Sequence, residues 1–249
     1  AGHMRTGATD MGAIVLSVVR DGAGYSIDHP GGVETGLEDA SAVAVHLKEQ
    51  ALRVILARMP GGFALHAAAL ELDGAAVLLA GGTGRGKTTL AAALHAKGLP
   101  VISDDVVLIE PARPAVGGLA FAFAVKKGGV DVLAPLFGGL PAEPGYLRPD
   151  GKTVKYSRPH RWTAGAARIG AVVFPRYTPG QACTLTPCTR ANALTALLGE
   201  AVNADHRLST AAFAALCELL GNADCLKAVY GDAGEASSRL LFRLGKGAQ

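Results

Sequence analysis

The sequence contains few of the features that mark secreted or membrane-spanning proteins. Its four cysteines are neither arranged as CxxC nor paired with histidines as in a zinc site, so we expect reduced thiols that serve as packing residues. No uninterrupted apolar run reaches about 18 residues, and no charged segment precedes an apolar signal segment at the start. These absences argue against a disulfide scaffold and a transmembrane helix, and they predict a cytoplasmic protein without a membrane partner.

Charged residues are also sparse. They make up 18% of the chain with a formal net charge of +3, without the dense Lys/Arg clustering that is typical of nucleic-acid binding. We therefore expect no nucleic-acid partner. Apolar residues form 49% of the 249 residues, which is enough to bury a sizeable core in one large domain or one domain with a small lobe.

The first 60 or so residues predict a small β element followed by a helix. Two short β-like runs, Ile14 to Val19 and Tyr25 to Ile27, flank the turn sequence DGAG. Asp39 is placed to cap an amphipathic helix that ends before a Pro-Gly-Gly sequence.

The next segment alternates strands and helices. Two β-like runs, Phe63 to Leu72 and Ala75 to Ala80, are joined by Asp-Gly, a strong hairpin signal. A glycine-rich sequence, a helix with Gly98 just past its end and a buried-type strand from Leu99 to Ile102 follow. A strand at Ile169 to Phe174 and helices near Thr189, Ser209 to Leu220 and Glu235 to Leu244 complete the expected order. This alternation predicts an α/β fold.

Domain boundaries are weakly marked. Residues 1–3 are typical of a protease-cleavage remnant, so we expect the native start at Met4. Residues 4–62 are expected to form the hairpin and helix, packed on a core of residues 63–249. Within that core, Pro111 to Pro149 is rich in Gly, Ala and Pro and predicts an excursion of strands and loops.

The most specific motif is GGTGRGKT at residues 81–88, which matches GxxxxGK[ST] between a predicted strand and helix. Its glycines let successive N–H groups face phosphates, and the helix start adds the positive end of its dipole. The expected nucleotide-binding residues are Gly81, Gly82, Thr83, Gly84, Arg85, Gly86, Lys87, Thr88 and Thr89. ATP or another nucleoside triphosphate and magnesium are the expected cofactors, with Lys87 on the phosphates and the Thr88 hydroxyl as a magnesium ligand.

Two adjacent acids follow the strand after this motif. Asp104 and Asp105 lie where α/β proteins place ligand chemistry, at the carboxyl end of a presumed sheet. Both are candidate metal ligands, directly or through water, and one is a candidate base that accepts a proton from an attacking hydroxyl. The alternative is an ordinary loop turn with two solvated acids.

His66 lies in an apolar run, where a histidine taken alone is more often a core residue. Its position relative to the other motifs nevertheless resembles the HPr kinase family, whose members carry a histidine, a P-loop and a double aspartate in this order. His66 lies 21 residues before Lys87, and Asp105 lies 18 residues after it, the spacing associated with that family. The resemblance spans Leu65 to Pro111 and continues more weakly from Gly170 to Leu244.

The resemblance implies a core like that of the HPr kinase C-terminal domain, which phosphoenolpyruvate carboxykinases share. It implies a serine kinase acting on a peptide or small protein, since stand-alone relatives include enzymes that phosphorylate the C-terminal serine of lasso-peptide precursors. By the same resemblance, Asp105 is the base, His66 supports it, Asp104 binds metal or water, and Arg176 lies near the transferred phosphate. Homo-oligomer formation is left open.

The sequence departs from that family in two respects. The separate N-terminal domain is absent, and the downstream glycine-rich signature with its glutamate is not recognisable, with Glu110 and Glu143 only loose substitutes. A basic stretch, Arg148, Lys152, Lys155, Arg158, His160 and Arg161 with the single acid Asp150, is either a dock for an anionic substrate or a solvated loop. The alternative function is a nucleotide-hydrolysing switch or scaffold that phosphorylates no acceptor.

Overall fold

The computed structural model describes residues 15–22, 24–59, 61–137, 139–148, 151–163, 167–202 and 208–245 of the chain. Ile14, Pro149, Asp150 and residues 4–14 of the expected N-terminal unit lie outside the described residues. Within the described ranges the fold is mixed α/β, as the alternation of elements predicts, with six α-helices and several sheets. No helix in these ranges is both long and apolar enough to cross a lipid bilayer.

The N-terminal unit contains the expected hairpin and helix, and one additional strand. Strands β1 (Ser17–Asp21) and β2 (Gly24–His29) pair antiparallel, and β3 (Gly32–Leu37) adds to β2. Helix α1 (Ala40–Ala57) follows, and the Asp39 side chain caps it by accepting from the Ala42 N–H at 2.8 Å. The sequence GVETGL of β3, with glycines near both ends, lacks the apolar alternation by which a strand is recognised.

The remaining elements, in chain order, are these. The first group comprises β4 (Phe63–Leu65), β5 (Ala67–Leu72), β6 (Ala75–Ala80), α2 (Lys87–Ala96), β7 (Val101–Ser103), β8 (Val107–Glu110), β9 (Ala115–Gly118) and β10 (Phe123–Lys126). The second comprises α3 (Lys127–Leu133), a 3-10 turn (Leu140–Ala142), β11 (Tyr146–Leu147), β12 (Thr153–Ser157) and β13 (Arg168–Tyr177). The last comprises β14 (Thr184–Pro187), α4 (Arg190–Leu198), β15 (Ala201–Val202), α5 (Thr210–Gly221), β16 (Asp224–Tyr230) and α6 (Ala233–Arg243).

A six-stranded sheet forms the centre of the molecule, with the order β14-β16-β13-β6-β5-β7. Strands β6, β13 and β16 run parallel to one another, while β5, β7 and β14 are antiparallel to their neighbours. The carboxyl ends of the three parallel strands therefore meet at one edge, where α/β sheets place their ligand sites.

Both faces of this sheet are covered, because side chains alternate along each strand. On β5, Leu70 and Leu72 pack in the same core as α2 and α6, while Ala67 and Ala69 join the core beneath α4 and α5. Burial on both sides explains why these strands are continuous apolar runs without polar alternation.

The run from Phe63 to Leu72, expected as a single strand, is divided at His66. Strand β4 pairs with β8 and β15 in a second, four-stranded sheet of order β15-β4-β8-β9, whereas β5 belongs to the central sheet. The His66 N–H donates to the Glu200 carbonyl at 2.8 Å. The regular backbone hydrogen bonding of both sheets is therefore interrupted at this residue. The expectation was wrong because both halves are equally apolar and no turn residue marks the break.

The segment from Pro111 to Pro149 contains more structure than the expected strands and loops. It holds β9, β10, α3 and β11, and β10, β12 and β11 form a small third sheet. This third sheet and α3 stand beside the carboxyl edge of the central sheet, where they supply one wall of the cleft described below.

Candidate active site

The glycine-rich loop, residues 81–86, connects β6 to α2 as the motif predicts. Gly86 has φ +96°, a left-handed conformation that favours glycine, and a Cβ at this position would overlap the Tyr230 hydroxyl. The Tyr230 hydroxyl donates to the Gly86 carbonyl at 2.9 Å, and Tyr177 packs edge-on to Tyr230 with ring centroids 5.7 Å apart. The tyrosines at the ends of β13 and β16 thus pack against the loop at Gly86.

The start of α2 is suited to binding an anion. Gly86 is its N-cap residue, and no side chain among the described residues caps it. The first N–H groups of an uncapped helix point outward and carry partial positive charge, which favours a phosphate at this place.

Lys87, the first residue of α2, is buried, with 7% of its surface exposed. Its Nζ donates to the Gly81 carbonyl and, at 3.4 Å, to the Gly82 carbonyl. Burial lowers the pKa of Lys87, while the carboxylates of Glu200, Asp105 and Asp104 act in the opposite direction. The ammonium is thus held against the loop that is expected to cradle phosphates.

Thr88 and Asp104 form a hydrogen-bonded pair of oxygen-bearing side chains. The Thr88 hydroxyl donates to the Asp104 carboxylate, at 3.3 Å to Oδ1 and 3.2 Å to Oδ2. Asp104 is 2% exposed, and burial, reinforced by the neighbouring Asp105 charge, raises its pKa to about 7. A hydroxyl beside a desolvated carboxylate fits magnesium, which prefers oxygen ligands and would relieve the cost of burying this charge.

Among the described residues no three or more His, Cys, Asp or Glu side chains group as a metal cluster. A magnesium ion on Thr88 and Asp104 would therefore need phosphate oxygens and waters to complete its shell. Magnesium in nucleotide sites is bound in this way, with few protein ligands.

Asp105 lies in the turn between β7 and β8 and has a left-handed backbone, φ +76°, which is uncommon for a residue other than glycine. The buried Ser103 side chain holds this turn: its hydroxyl donates to the Val106 carbonyl and accepts from the Leu119 N–H at 3.2 Å. Strained residues of this kind gather at functional sites, where surrounding contacts maintain them.

The Asp105 carboxylate is held from two sides. Its Oδ1 lies 3.0 Å from Nδ1 of His66, and its Oδ2 accepts from the Nζ of Lys48, which reaches it from α1. Burial alone would raise the pKa of Asp105, but the His66 hydrogen bond and the Lys48 charge outweigh burial and hold the pKa well below its usual range. Asp105 is therefore held in its ionised form, and each of its carboxylate oxygens contacts a donor.

These residues surround a cleft of about 360 Å³, the size of a small-molecule site. Of the residues expected from the sequence, it is lined by His66, Thr83, Gly84, Gly86, Lys87, Thr88, Thr89, Asp104 and Asp105. Additional lining residues are Ala124, Val125, Lys126, Gly128, Gly129, Val132, Arg148, Lys152 and Tyr177. His66 is thus a cleft residue with a carboxylate partner, not the satisfied core histidine that its apolar surroundings allow.

Four expected residues are not brought into the cleft wall: Gly81, Gly82, Arg85 and Arg176. The two glycines contribute through the carbonyls that Lys87 contacts, and Arg85 is exposed. Arg176 is also exposed, because side chains alternate along β13 and its neighbour Tyr177 takes the cleft-facing position.

The basic stretch divides between two roles. Arg148 and Lys152 line the cleft. Lys155 donates to the Pro141 carbonyl, Arg161 donates to the Gly98 carbonyl at 3.2 Å, and His160 stacks on His95. Glu110 and Glu143 are exposed and do not line the cleft, so neither stands where a metal-binding glutamate is needed.

Sequence reasoning missed Lys48, Lys126 and the two supporting tyrosines. Tyr177 and Tyr230 end strands that pair with one another, but nothing in the sequence indicates that pairing. Lys48 could have been noticed as a charge on an otherwise apolar helical stripe.

No family model matches the chain, and no curated protein matches it at a significant level. The function of the chain is therefore inferred from its own residues and from the geometry that unites them.

Proposed function

We propose that this chain is an ATP- and magnesium-dependent kinase that transfers the γ-phosphoryl group to a hydroxyl, the serine of a peptide or small protein. The observation that carries the proposal is the meeting of the glycine-rich loop with two differently placed acids in one cleft. Asp104 is buried and accepts from the Thr88 hydroxyl, whereas Asp105 opens to the cleft and contacts His66. Two carboxylates in such different surroundings suit two roles in one reaction.

In this proposal the nucleotide's phosphates lie against residues 83–89, with Lys87 leaving the Gly81 carbonyl for phosphate oxygens. Thr88 and Asp104 hold the magnesium, which supplies neutralisation of phosphate charge when bound. The acceptor's oxygen forms a bond to the γ-phosphorus as the bond from that phosphorus to the ADP oxygen breaks. Asp105 receives the proton that the hydroxyl loses, and ADP leaves with the electron pair.

The His66 interaction supports this assignment of the base. Its Nδ1 lies 3.2 Å from the Asp105 carbonyl as well as 3.0 Å from the carboxylate, so the ring faces the whole residue. A base whose side chain is held in one orientation favours the aligned geometry that a transfer reaction needs. The proposed core type is that shared by HPr kinase and phosphoenolpyruvate carboxykinase, supported by the strand, loop and helix around residues 75–96 and by the union of His66, Lys87 and Asp105 in one cleft.

The test is the fate of the γ-phosphate. The full chain is incubated with γ-labelled ATP, magnesium and a mixture of serine peptides, with the same peptides carrying alanine in place of serine as the control. We expect magnesium-dependent label on serine peptides only. Label recovered solely as free phosphate would contradict the kinase and favour a nucleotide-hydrolysing switch.

A further inference from the structure

Helix α1 packs on the core through one stripe of side chains. Leu52, Ile55 and Leu56 of the helix, and Met59 just past its end, contact a buried cluster on and beside the four-stranded sheet, which consists of Ala64, Val106, Leu108 and Leu119. Lys48 precedes Leu52 by one helical turn and therefore lies on the same stripe. A lysine at a position where the helix otherwise buries apolar side chains calls for a specific partner.

That partner is Asp105. The Lys48 Nζ lies 5.0 Å from the centroid of the Phe121 ring, within the range of a cation–π contact, and donates to Oδ2 of Asp105. His66 contacts the other carboxylate oxygen. The carboxylate is thereby held between donors from two distant segments, which restricts its rotation.

The opposite face of α1 is fixed as well. Glu34 on β3 accepts from the Gln50 side chain, and its other oxygen lies 3.0 Å from Nδ1 of His46. The helix is therefore fastened both to the N-terminal sheet and to the core. Contacts with β3 on one face and with the core on the other fix the position of α1, and Lys48 on this helix reaches Asp105.

We propose that Lys48 is a positioning residue for phosphoryl transfer: it orients the Asp105 carboxylate for the acceptor's proton, and so makes the N-terminal unit part of the active site. This inference rests on the proposed kinase function. Lys48 acts only through Asp105. Since it does not line the nucleotide cleft, nucleotide affinity is not expected to depend on it.

The alternative is an ion pair that merely attaches α1 to the core. The positioning role and the purely structural role predict different kinetics for the Lys48→Met variant. Both variant and wild type are assayed with magnesium ATP and the serine-peptide mixture. We expect kcat to fall about 10²-fold, the scale of a misplaced catalytic group, with KM for ATP within about threefold of wild type. Lys48→Arg retains the charge and the donor, so its kcat should be at least about tenfold higher than that of Lys48→Met.

Arg53→Met is the matched control, because Arg53 is an exposed cation on the same helix. It should leave kcat unchanged. Thermal unfolding of all variants checks that the fold persists, and Lys48→Gln serves if Lys48→Met does not fold.

A double-mutant cycle with Asp105→Asn decides whether Lys48 acts through the base. Lys48→Met should slow the Asp105→Asn chain by less than about twofold, because the group it positions is already lost. The inference about Lys48 would be wrong if the losses in kcat of the two single variants were fully additive, or if Lys48→Met were as fast as an active wild type. Neither result would contradict the proposed kinase function. A wild type that places no label on any peptide would overturn both, so the two failures are distinguishable.

Discussion

Two walls of one cleft are built in different ways. The wall formed by the glycine-rich loop comes from a single continuous segment, residues 83–89, whose conformation follows from its glycines and from the start of α2. The wall around Asp105 joins groups that are 57 and 39 residues away in sequence, Lys48 and His66 respectively. A local motif can be recognised from spacing, whereas an environment made by distant segments exists only after folding.

The comparison extends to the two acids themselves. Asp104 and Asp105 are neighbours in sequence, yet burial pushes the pKa of one up to about 7 while His66 and Lys48 hold the pKa of the other well below its usual range. Neighbouring residues in a turn face different surroundings, so identical side chains acquire different chemistry.

The largest expected effect lies in the continuous wall. Lys87→Ala should reduce ATP turnover about 10³-fold, because it removes the cation that is held against the glycine-rich loop. Lys97→Ala, an exposed lysine just past the end of the same helix, is the control and should retain wild-type turnover. Full turnover in Lys87→Ala, measured as ADP formed per minute, would contradict the assignment of the loop to ATP.

In the wall around Asp105, the Asp105→Asn substitution should lower the rate of phosphoryl transfer about 10²-fold. ATP binding, measured by calorimetry, should persist. Asp104→Asn should instead raise the magnesium concentration required for half-maximal turnover, because it removes a proposed ligand. If only Asp104→Asn loses transfer at saturating magnesium, the roles of the two acids are the reverse of those proposed.

The glycine-rich loop offers a comparison between two of its own residues. Gly86→Ala combines a φ of +96° with overlap against Tyr230 and should lower the free energy of unfolding by about 3 kcal/mol. Gly84→Ala has a φ of +82° but open space around the added Cβ, so we expect a loss of about 1 kcal/mol. Urea unfolding measures both, and equal losses would show that the Tyr230 contact does not constrain the loop.

The smallest expected effect concerns His95, buried on α2 behind the cleft. Its Nδ1 lies 2.8 Å from the Leu99 carbonyl and its Nε2 accepts from the His160 N–H at 3.1 Å, so the ring is neutral. Burial lowers the pKa of His95 below the ordinary 6.5 and outweighs the hydrogen bond to the Leu99 carbonyl, which acts in the opposite direction.

A group with a depressed folded-state pKa of this kind stabilises the fold above pH 6.5 and loses that contribution as pH falls below it, because the unfolded chain then binds more protons. We expect the free energy of unfolding to fall between pH 7 and pH 5.5 because of this residue. Urea unfolding of His95→Gln at each pH should show that part of the pH profile flattened.

Some elements of the fold could be predicted from the sequence, and others could not. The hairpin of β1 and β2, the order of strand, loop and helix around residues 75–96, and the α/β class follow from patterns that short segments carry by themselves. The interruption at His66 could not be foreseen, because the partners that separate β4 from β5 lie elsewhere in the chain.

Among the predicted site residues, His66, Lys87 and Asp105 all line one cleft in the structure. Arg176 was expected by analogy, and the structure turns it outward, because a shift of one residue along a strand moves a side chain to the other face. Lys126, from the Gly- and Ala-rich excursion, lines the cleft although that segment carries no readable pattern.

The sequence by itself determined the glycine-rich loop, the helix that follows it and the pair of acids, because these depend on backbone conformations and spacings within about 25 residues. Only the tertiary structure decided which acid is ionised, which basic residues face the cleft and that α1 reaches the site through Lys48. The physical reason is that burial and charge–charge distances are properties of the folded whole, and they set the pKa values on which the proposed chemistry depends.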